Sequence, residues 1–273
     1  MLENIKKYNI ILGSNSPRRK KILEELGLKV KVIGSNIDES IIVFKRALDL
    51  DPNNQAIWAN YLFALNFSKK TSSQEIFRTN RKWAALLEDT INTQPYFGNN
   101  KAAGRRLKLG YFLPELDKHV TVRYLSPILA KHNKLKFELI GYGNRTDNKS
   151  LPSDISDLFD RWTDISGFDA AQIAEIMRSD QIDVLLHPCT FKSRYRSVLA
   201  YRGAPVQIAC INLVSTTGLM ATDYLITDSF ISPDNLAEAL YTEKLIRLSS
   251  FNTYKKFVGL NEIGPLPALN NSY

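Results

Sequence analysis

The sequence predicts an α/β protein: a mostly parallel, doubly wound sheet, preceded by a helical stretch and by a short β-α-β fragment at the amino end. Three observations predict it. From residue 107 onward, short apolar runs at 107–112, 137–142 and 182–186 alternate with helical stripes, as strands buried on both faces do. Between residues 40 and 91 the apolar residues recur at helical spacing instead, and residues 8–33 read as strand, helix, strand.

Composition narrows the class further. Of 273 residues, 44% are hydrophobic and 23% charged, which excludes wholesale disorder. No apolar run approaches the ~18 residues needed to cross a bilayer. Residues 1–8 are polar and charged, so no signal peptide is expected and a cytoplasmic protein is the default. Cys189 and Cys210 cannot make a disulfide framework or a C-x-x-C knuckle. The net charge of +8 is local: residues 101–150 hold 11 Lys/Arg against 4 Asp/Glu, while 151–200 hold 5 against 8. A basic stripe interleaved with aromatics would indicate nucleic acid. These lysines flank strands and helix ends, so a solvated face or a rim around a small anion is expected, and nucleic acid is not.

The amino-terminal fragment opens with an apolar run at 9–12. Ser16 then caps a helix with Pro17 in its first turn, since the hydroxyl accepts from orphan amides and proline there forfeits no needed N–H. Ile22, Leu23 and Leu26 supply its apolar face and Gly27 ends it; residues 28–33 then alternate Val30 and Val32 with Lys29 and Lys31. From Ser40 a stripe of Ile41, Phe44, Ala47 and Leu48 closes at Leu50-Asp51-Pro52. Phe44, Ala47 and Pro52 hold the spacing of the second helix and exit proline of a tetratricopeptide repeat. A helix is expected from about 54 to 69 with Trp58, Tyr61, Leu62 and Leu65 on one face, and another from Ser72 with Ile76, Trp83, Leu86 and Leu87. One and a half repeats cannot bury a core alone, so these helices must pack on the α/β segment that comes after them; they are either a docking element for a protein partner or a helical spacer. After an exposed connection at 101–106 come a strand at 107–112, a helix at 120–131 with Val122, Leu125, Ile128 and Leu129 inward, and a strand at 137–142. A polar loop at 143–154, a helix at 168–178 and strands at 182–186, 205–213 and 224–227 complete the pattern.

In such a sheet, ligands sit outside the carboxyl ends of the strands, which points to the loops after Phe112, Tyr142, Leu186 and Leu213. The first loop holds Pro114, Glu115, Asp117, Lys118 and His119. His119 leads into a helix, whose positive end favours the neutral imidazole that a general base needs. The loop after Leu186 gives His187, Pro188, Cys189 and Thr190, then Lys192, Arg194 and Arg196. The last gives Asn212 and Ser215-Thr216-Thr217-Gly218. Each alone is a common structural turn; their convergence at one edge makes a candidate site. His119, His132 and His187 lack metal-binding spacing, no cofactor-binding or nucleophile motif is present, and neither metal nor cofactor is expected. His132 is expected at the surface.

Two stretches resemble known families. Residues 11–40, with ILGSNSPRRKKILEELG and IDES, resemble the amino-terminal segment of the Maf nucleotide pyrophosphatases. On spacing alone, Ser14, Ser16, Arg18 and Arg19 make either a phosphate cradle or a capped helix with exposed arginines. The resemblance implies the cradle, with Glu39 near a metal and the phosphates. From Ser40 on, LDLDPNNQAIWANYLFALNF, EIFRTNRKW, LKLGYFLPELDKH, KFELIGYGN, DRWTDISGF, APVQIACINLVSTTGLMATDYLITD and YTEKLIRL resemble the SPINDLY-like O-GlcNAc transferases, in which tetratricopeptide repeats precede two Rossmann-like catalytic lobes. That resemblance implies sugar transfer from UDP-GlcNAc to a protein Ser or Thr, with His119 catalytic and Thr190, Thr216, Thr217 and Gly218 at the substrate. Asn212, Leu213, Val214 and Ser215 stand where that family has glycines and a proline.

The implied organisation is a Maf-like fragment at 1–39, tetratricopeptide-like helices at 40–100, a first Rossmann-like lobe at 101–260, and at 261–273 the start of a connector to a second lobe. The second lobe brings cationic groups to the leaving diphosphate. The expectation is therefore a truncated chain, weakly active or inactive alone. The alternatives are a Maf-like nucleoside triphosphate pyrophosphatase and a non-catalytic interaction scaffold.

Overall fold

Helices form where the sequence supplies a cap. In the computed structural model, α1 (Ile37–Leu50) starts after Asn36, whose side chain accepts from the Asp38 amide. Helix α2 (Gln55–Leu65) follows Asn54, which accepts from the Ile57 amide, and α3 (Ser73–Glu88) follows Ser72, which accepts from the Glu75 amide. The Asn36 cap starts α1 earlier than the stripe beginning at Ile41 suggested. The structure describes residues 10–12, 21, 24, 30–32, 36–91, 95–114, 119–144, 155, 157–187, 193–210, 215–234 and 237–250; for 10–12, 30–32, 119–123 and 193–194 it describes the backbone alone.

Strands β1 (Ile10–Leu12) and β2 (Val30–Val32) pair in parallel as a two-stranded sheet of their own, with Lys21 and Glu24 helical between them, the expected β-α-β fragment. The lobe continues with β3 (Leu107–Phe112), α4 (His119–Leu129), β4 (Phe137–Gly143), β5 (Arg161–Asp164), α5 (Ala170–Ser179), β6 (Val184–His187), α6 (Ser193–Ala200), β7 (Val206–Ala209), β8 (Tyr224–Asp228) and β9 (Lys244–Leu248). These seven strands form one sheet in the order β5-β4-β3-β6-β7-β8-β9, and every neighbouring pair is parallel. The chain starts in the middle, builds outward to β5, then returns and builds the other way; this is the doubly wound Rossmann order extended by one strand.

Alternation along the strands sorts the core into two layers. Leu109, Tyr111 and Leu139 point to the side covered by Leu125 and Leu129 of α4. Phe112, Ile140 and Tyr142 point to the other, where Ile173 and Met177 of α5 and Val198 and Leu199 of α6 pack. The same second layer runs without a break into Leu62, Leu65, Trp83 and Ala84 of α2 and α3, so the helical segment shares the lobe's core as one and a half repeats would require. Leu86, expected on the inward face of α3, is exposed.

The basic excess also finds its place. Arg105 pairs bidentately with Asp183 at 2.5 and 2.7 Å, Arg106 with Asp160 at 3.1 Å, and Arg161 with Asp180 at 2.7 Å. These lie at the amino ends of β3 to β6. Arg105 and Arg106, from the cation-rich stretch 101–150, are answered by carboxylates of 151–200 at the sheet edge opposite the candidate loops, while the Arg161–Asp180 pair lies within 151–200.

Candidate functional site

The strand order reverses between β3 and β6, so a crevice opens outside their carboxyl ends. Two sequence-predicted segments follow these strands in the chain. Beyond Phe112 the chain passes Leu113 and Pro114, and α4 begins at His119, which places that residue on the first turn of the helix. Beyond His187, the end of β6, comes the loop of Thr190, which lies outside the described residues.

Neighbouring groups shape the crevice. The Asn144 amide donates from Nδ2 to the Pro114 carbonyl at 3.2 Å and to the Tyr195 hydroxyl at 2.5 Å, tying the loop after β3 to the end of β4 and to α6. Gly143 allows that closure, because a Cβ there would stand 2.4 Å from the Leu113 carbonyl oxygen. Sequence reasoning did not single out Asn144 or Tyr195; the only signal was the Gly-Tyr-Gly-Asn ending of a strand.

Two residues at the carboxyl ends of strands are buried. His187 is the last residue of β6, not a loop residue, and is fully buried. Cys210, at the end of β7, has its thiol pushed up to about 12 by burial and is unreactive. His132 was expected at the surface, yet it is half-buried and its Nε2 lies 2.6 Å from the Tyr111 hydroxyl.

Ser215 to Gly218 lie beside Glu243, the residue before β9. Glu243 is buried and accepts from the Thr216 hydroxyl at 2.7 Å, the Thr217 amide at 2.7 Å and the Thr217 hydroxyl. Both hydroxyls also accept, from the Gly218 amide at 2.9 Å and the Leu219 amide at 3.1 Å. The segment then docks on α3. The Gly218 carbonyl accepts from Arg81 at 2.8 Å, and Arg196 bridges the Thr217 carbonyl to Asn80 Oδ1 while stacking 4.0 Å from the Trp83 ring. Arg196, read in the sequence as part of a basic loop, is a buried helix residue joining the two segments.

At the amino end, Glu39 is the third residue of α1 and accepts from Asn36 Nδ2 at 3.0 Å. Ser14, Ser16, Arg18 and Arg19 lie outside the described residues. Among the described residues there is no group of three potential metal ligands and no helix long and apolar enough to cross a membrane.

A model of glycosyl transferase family 41 matches residues 78–260, from the middle of α3 through β9. The chain belongs to glycosyl transferase family 41. A Maf-like protein model matches residues 9–59, which takes in the two-stranded fragment and α1. Among curated relatives, the probable UDP-N-acetylglucosamine--peptide N-acetylglucosaminyltransferase SPINDLY of Oryza sativa is 27% identical over 84% of this chain and 25% of its own length. The corresponding transferase of Caenorhabditis elegans is 30% identical over 52% of this chain and 12% of its own. A mutant O-GlcNAc transferase from Thermobaculum terrenum superposes with a TM-score of 0.73 at 29% identity, covering 80% of this chain and 42% of that one. This family 41 chain thus spans about a quarter of the length of the SPINDLY relatives it matches.

Proposed function

We propose that the chain carries the acceptor side of an O-GlcNAc transfer reaction, in which a protein Ser or Thr hydroxyl attacks the anomeric carbon of UDP-GlcNAc and UDP departs. The observation that carries this reading is the placement of His119 on the first turn of α4, at the switch point of a family 41 sheet. A neutral imidazole at that position would take the proton that the attacking hydroxyl loses. Thr190 follows the neighbouring strand and is assigned to the substrate. Thr216, Thr217 and Gly218 are assigned to the substrate as well, with Glu243 fixing the two threonine hydroxyls. The departing diphosphate needs cationic stabilisation.

The test is a single-turnover assay at enzyme excess, following labelled GlcNAc onto a Ser/Thr peptide. His119→Ala should reduce transfer by about 10²–10⁴-fold, the usual contribution of a general base. Transfer undiminished in that variant refutes the assignment. No transfer by the unaltered chain would favour a second reading, an interaction scaffold, which the full engagement of Thr216 and Thr217 by Glu243 also favours. The pyrophosphatase alternative has Glu39 bound to Asn36 on the first turn of α1; pyrophosphate release from a nucleoside triphosphate, lost on Arg18→Ala, would support it.

A further inference from the structure

Helix α1 has two faces of opposite character. Ile41 and Leu48 are buried and Phe44 packs against the same core, while the flank beside them is tied down by ion pairs of Asp38 with Lys70 at 2.9 Å and Lys45 with Glu75 at 3.4 Å. The outer face carries Glu39, Ile42, Val43, Arg46, Asp49 and Leu50, all exposed. They recur at intervals of three and four, so they form one stripe along the helix. A solvated stripe is ordinarily polar, yet Ile42 is 52%, Val43 60% and Leu50 89% exposed. The stripe lies outside the family 41 match at residues 78–260 and shares no residue with the switch-point crevice.

The charges on the stripe indicate what covers it. Glu39 and Arg46 stand seven residues apart, two helical turns, with Ile42 and Val43 midway between them. Neither makes an ion pair among the described residues; Glu39 accepts from the neutral Asn36 side chain. Two such stripes laid antiparallel about a two-fold axis between Ile42 and Val43 complement each other. Glu39 of each copy then meets Arg46 of the other, and the apolar pairs close on one another between the two ion pairs. A two-fold contact uses the same surface on both copies, so one sequence must supply both halves of it, as this stripe does. Asp49 fits the same arrangement. The last turn of α1 holds no basic residue, and an acid there opposes the helix's own dipole. Antiparallel pairing brings it beside the amino end of the other copy's helix, where negative charge is stabilised.

We propose that this face of α1 binds the same face of a second copy of the chain, antiparallel, with Ile42 and Val43 at the centre and two Glu39–Arg46 ion pairs flanking them. One helix face is a small contact, in the class of weak and transient associations.

Sedimentation velocity on the full chain, from about 1 μM to about 1 mM, tests it. The unaltered chain is expected to pass from monomer to dimer within that range. Val43→Glu should stay monomeric, because it sets two carboxylates at the centre of the contact. Charge exchange tests the register. Glu39→Arg and Arg46→Glu each place like charges opposite one another and should each weaken self-association about tenfold, since two exposed pairs are lost at once. Mixed one to one, the two variants regain both ion pairs, and the mixture should dimerise as the unaltered chain does. All three substitutions fall on exposed positions, and circular dichroism confirms that the helices are kept. An unaltered chain that is monomeric throughout, a dimer that survives Val43→Glu, or a mixture that associates no better than its components would each overturn the proposal.

Discussion

Gly218→Ala is the most discriminating perturbation of the seam between helices and sheet. Gly218 sits at φ +73°, and a Cβ built on it stands 2.6 Å from the Asn80 carbonyl carbon and oxygen and 3.1 Å from the Arg81 nitrogen. These are backbone atoms of α3, so no side chain can swing aside. Gly104 and Gly167 provide internal controls, at φ +76° and +84° with nothing within 4 Å of the added carbon. The left-handed conformation alone costs an L-residue roughly 1–2 kcal/mol, and this applies to all three. Only Gly218 adds overpacking of about 1–3 kcal/mol, as α3 is pushed off the Arg81 and Arg196 contacts. The expected losses are therefore about 2–5 kcal/mol for Gly218→Ala and about 1–2 kcal/mol for the controls. Urea unfolding followed by tryptophan fluorescence reads this directly, because Trp83 lies under Arg196 at the seam; the midpoints should shift at constant m-value. If Gly218→Ala is no more damaging than Gly104→Ala, the close approach of the Thr-Thr-Gly turn to α3 is not a constraint and the reasoning fails.

Buried polar groups give three further expected outcomes. Glu243→Gln puts an NH₂ where the carboxylate accepts from two hydroxyls and an amide, and should cost about 1–3 kcal/mol; an unchanged denaturation midpoint would contradict it. Burial, helped by the Lys134 charge, depresses the His132 pKa, and the ring shares a hydrogen bond with the Tyr111 hydroxyl. The unfolded chain then binds more protons near its ordinary pKa of about 6.5, so stability is complete above that pH and declines below it; thermal midpoints across the range should show this slope, flattened in His132→Gln. Burial opposes ionisation of Asp183, but Arg105, the Lys108 amide and Asn99 together hold its carboxyl below the ordinary range. Its stabilisation is present above about pH 4 and fades as pH falls, and Asp183→Asn should remove that acid-side slope from a melting-temperature profile.

The central strands were legible because both their faces are buried. Leu107–Phe112 matches the expected strand, and Phe137–Gly143 exceeds the expected one by a single residue. The edge strands were not. Arg161–Asp164 and Lys244–Leu248 begin with charged, exposed residues, and half-exposed positions blur the period in both. Helix α6 was hidden by Arg194 and Arg196, which suggested a basic loop; the partner that buries Arg196 is Trp83, more than a hundred positions earlier, and no local pattern announces it. Of the site, the placement of His119 was readable from a strand followed by a helix start. The diversion of Thr216 and Thr217 to Glu243 was not, since it depends on the register of β8 with β9.

The strand order also fixes the sequence of events at the ribosome. Strand β3 is synthesised first among the seven yet lies in the interior of the sheet, with β4 on one side and β6 on the other. One flank can pair as soon as β4 emerges. The other stays bare, its amides and carbonyls unmatched, until β5 and α5 have been made and β6 arrives. During that interval the nascent chain carries an apolar strand with one open side, and the interval is its period of greatest exposure to wrong partners.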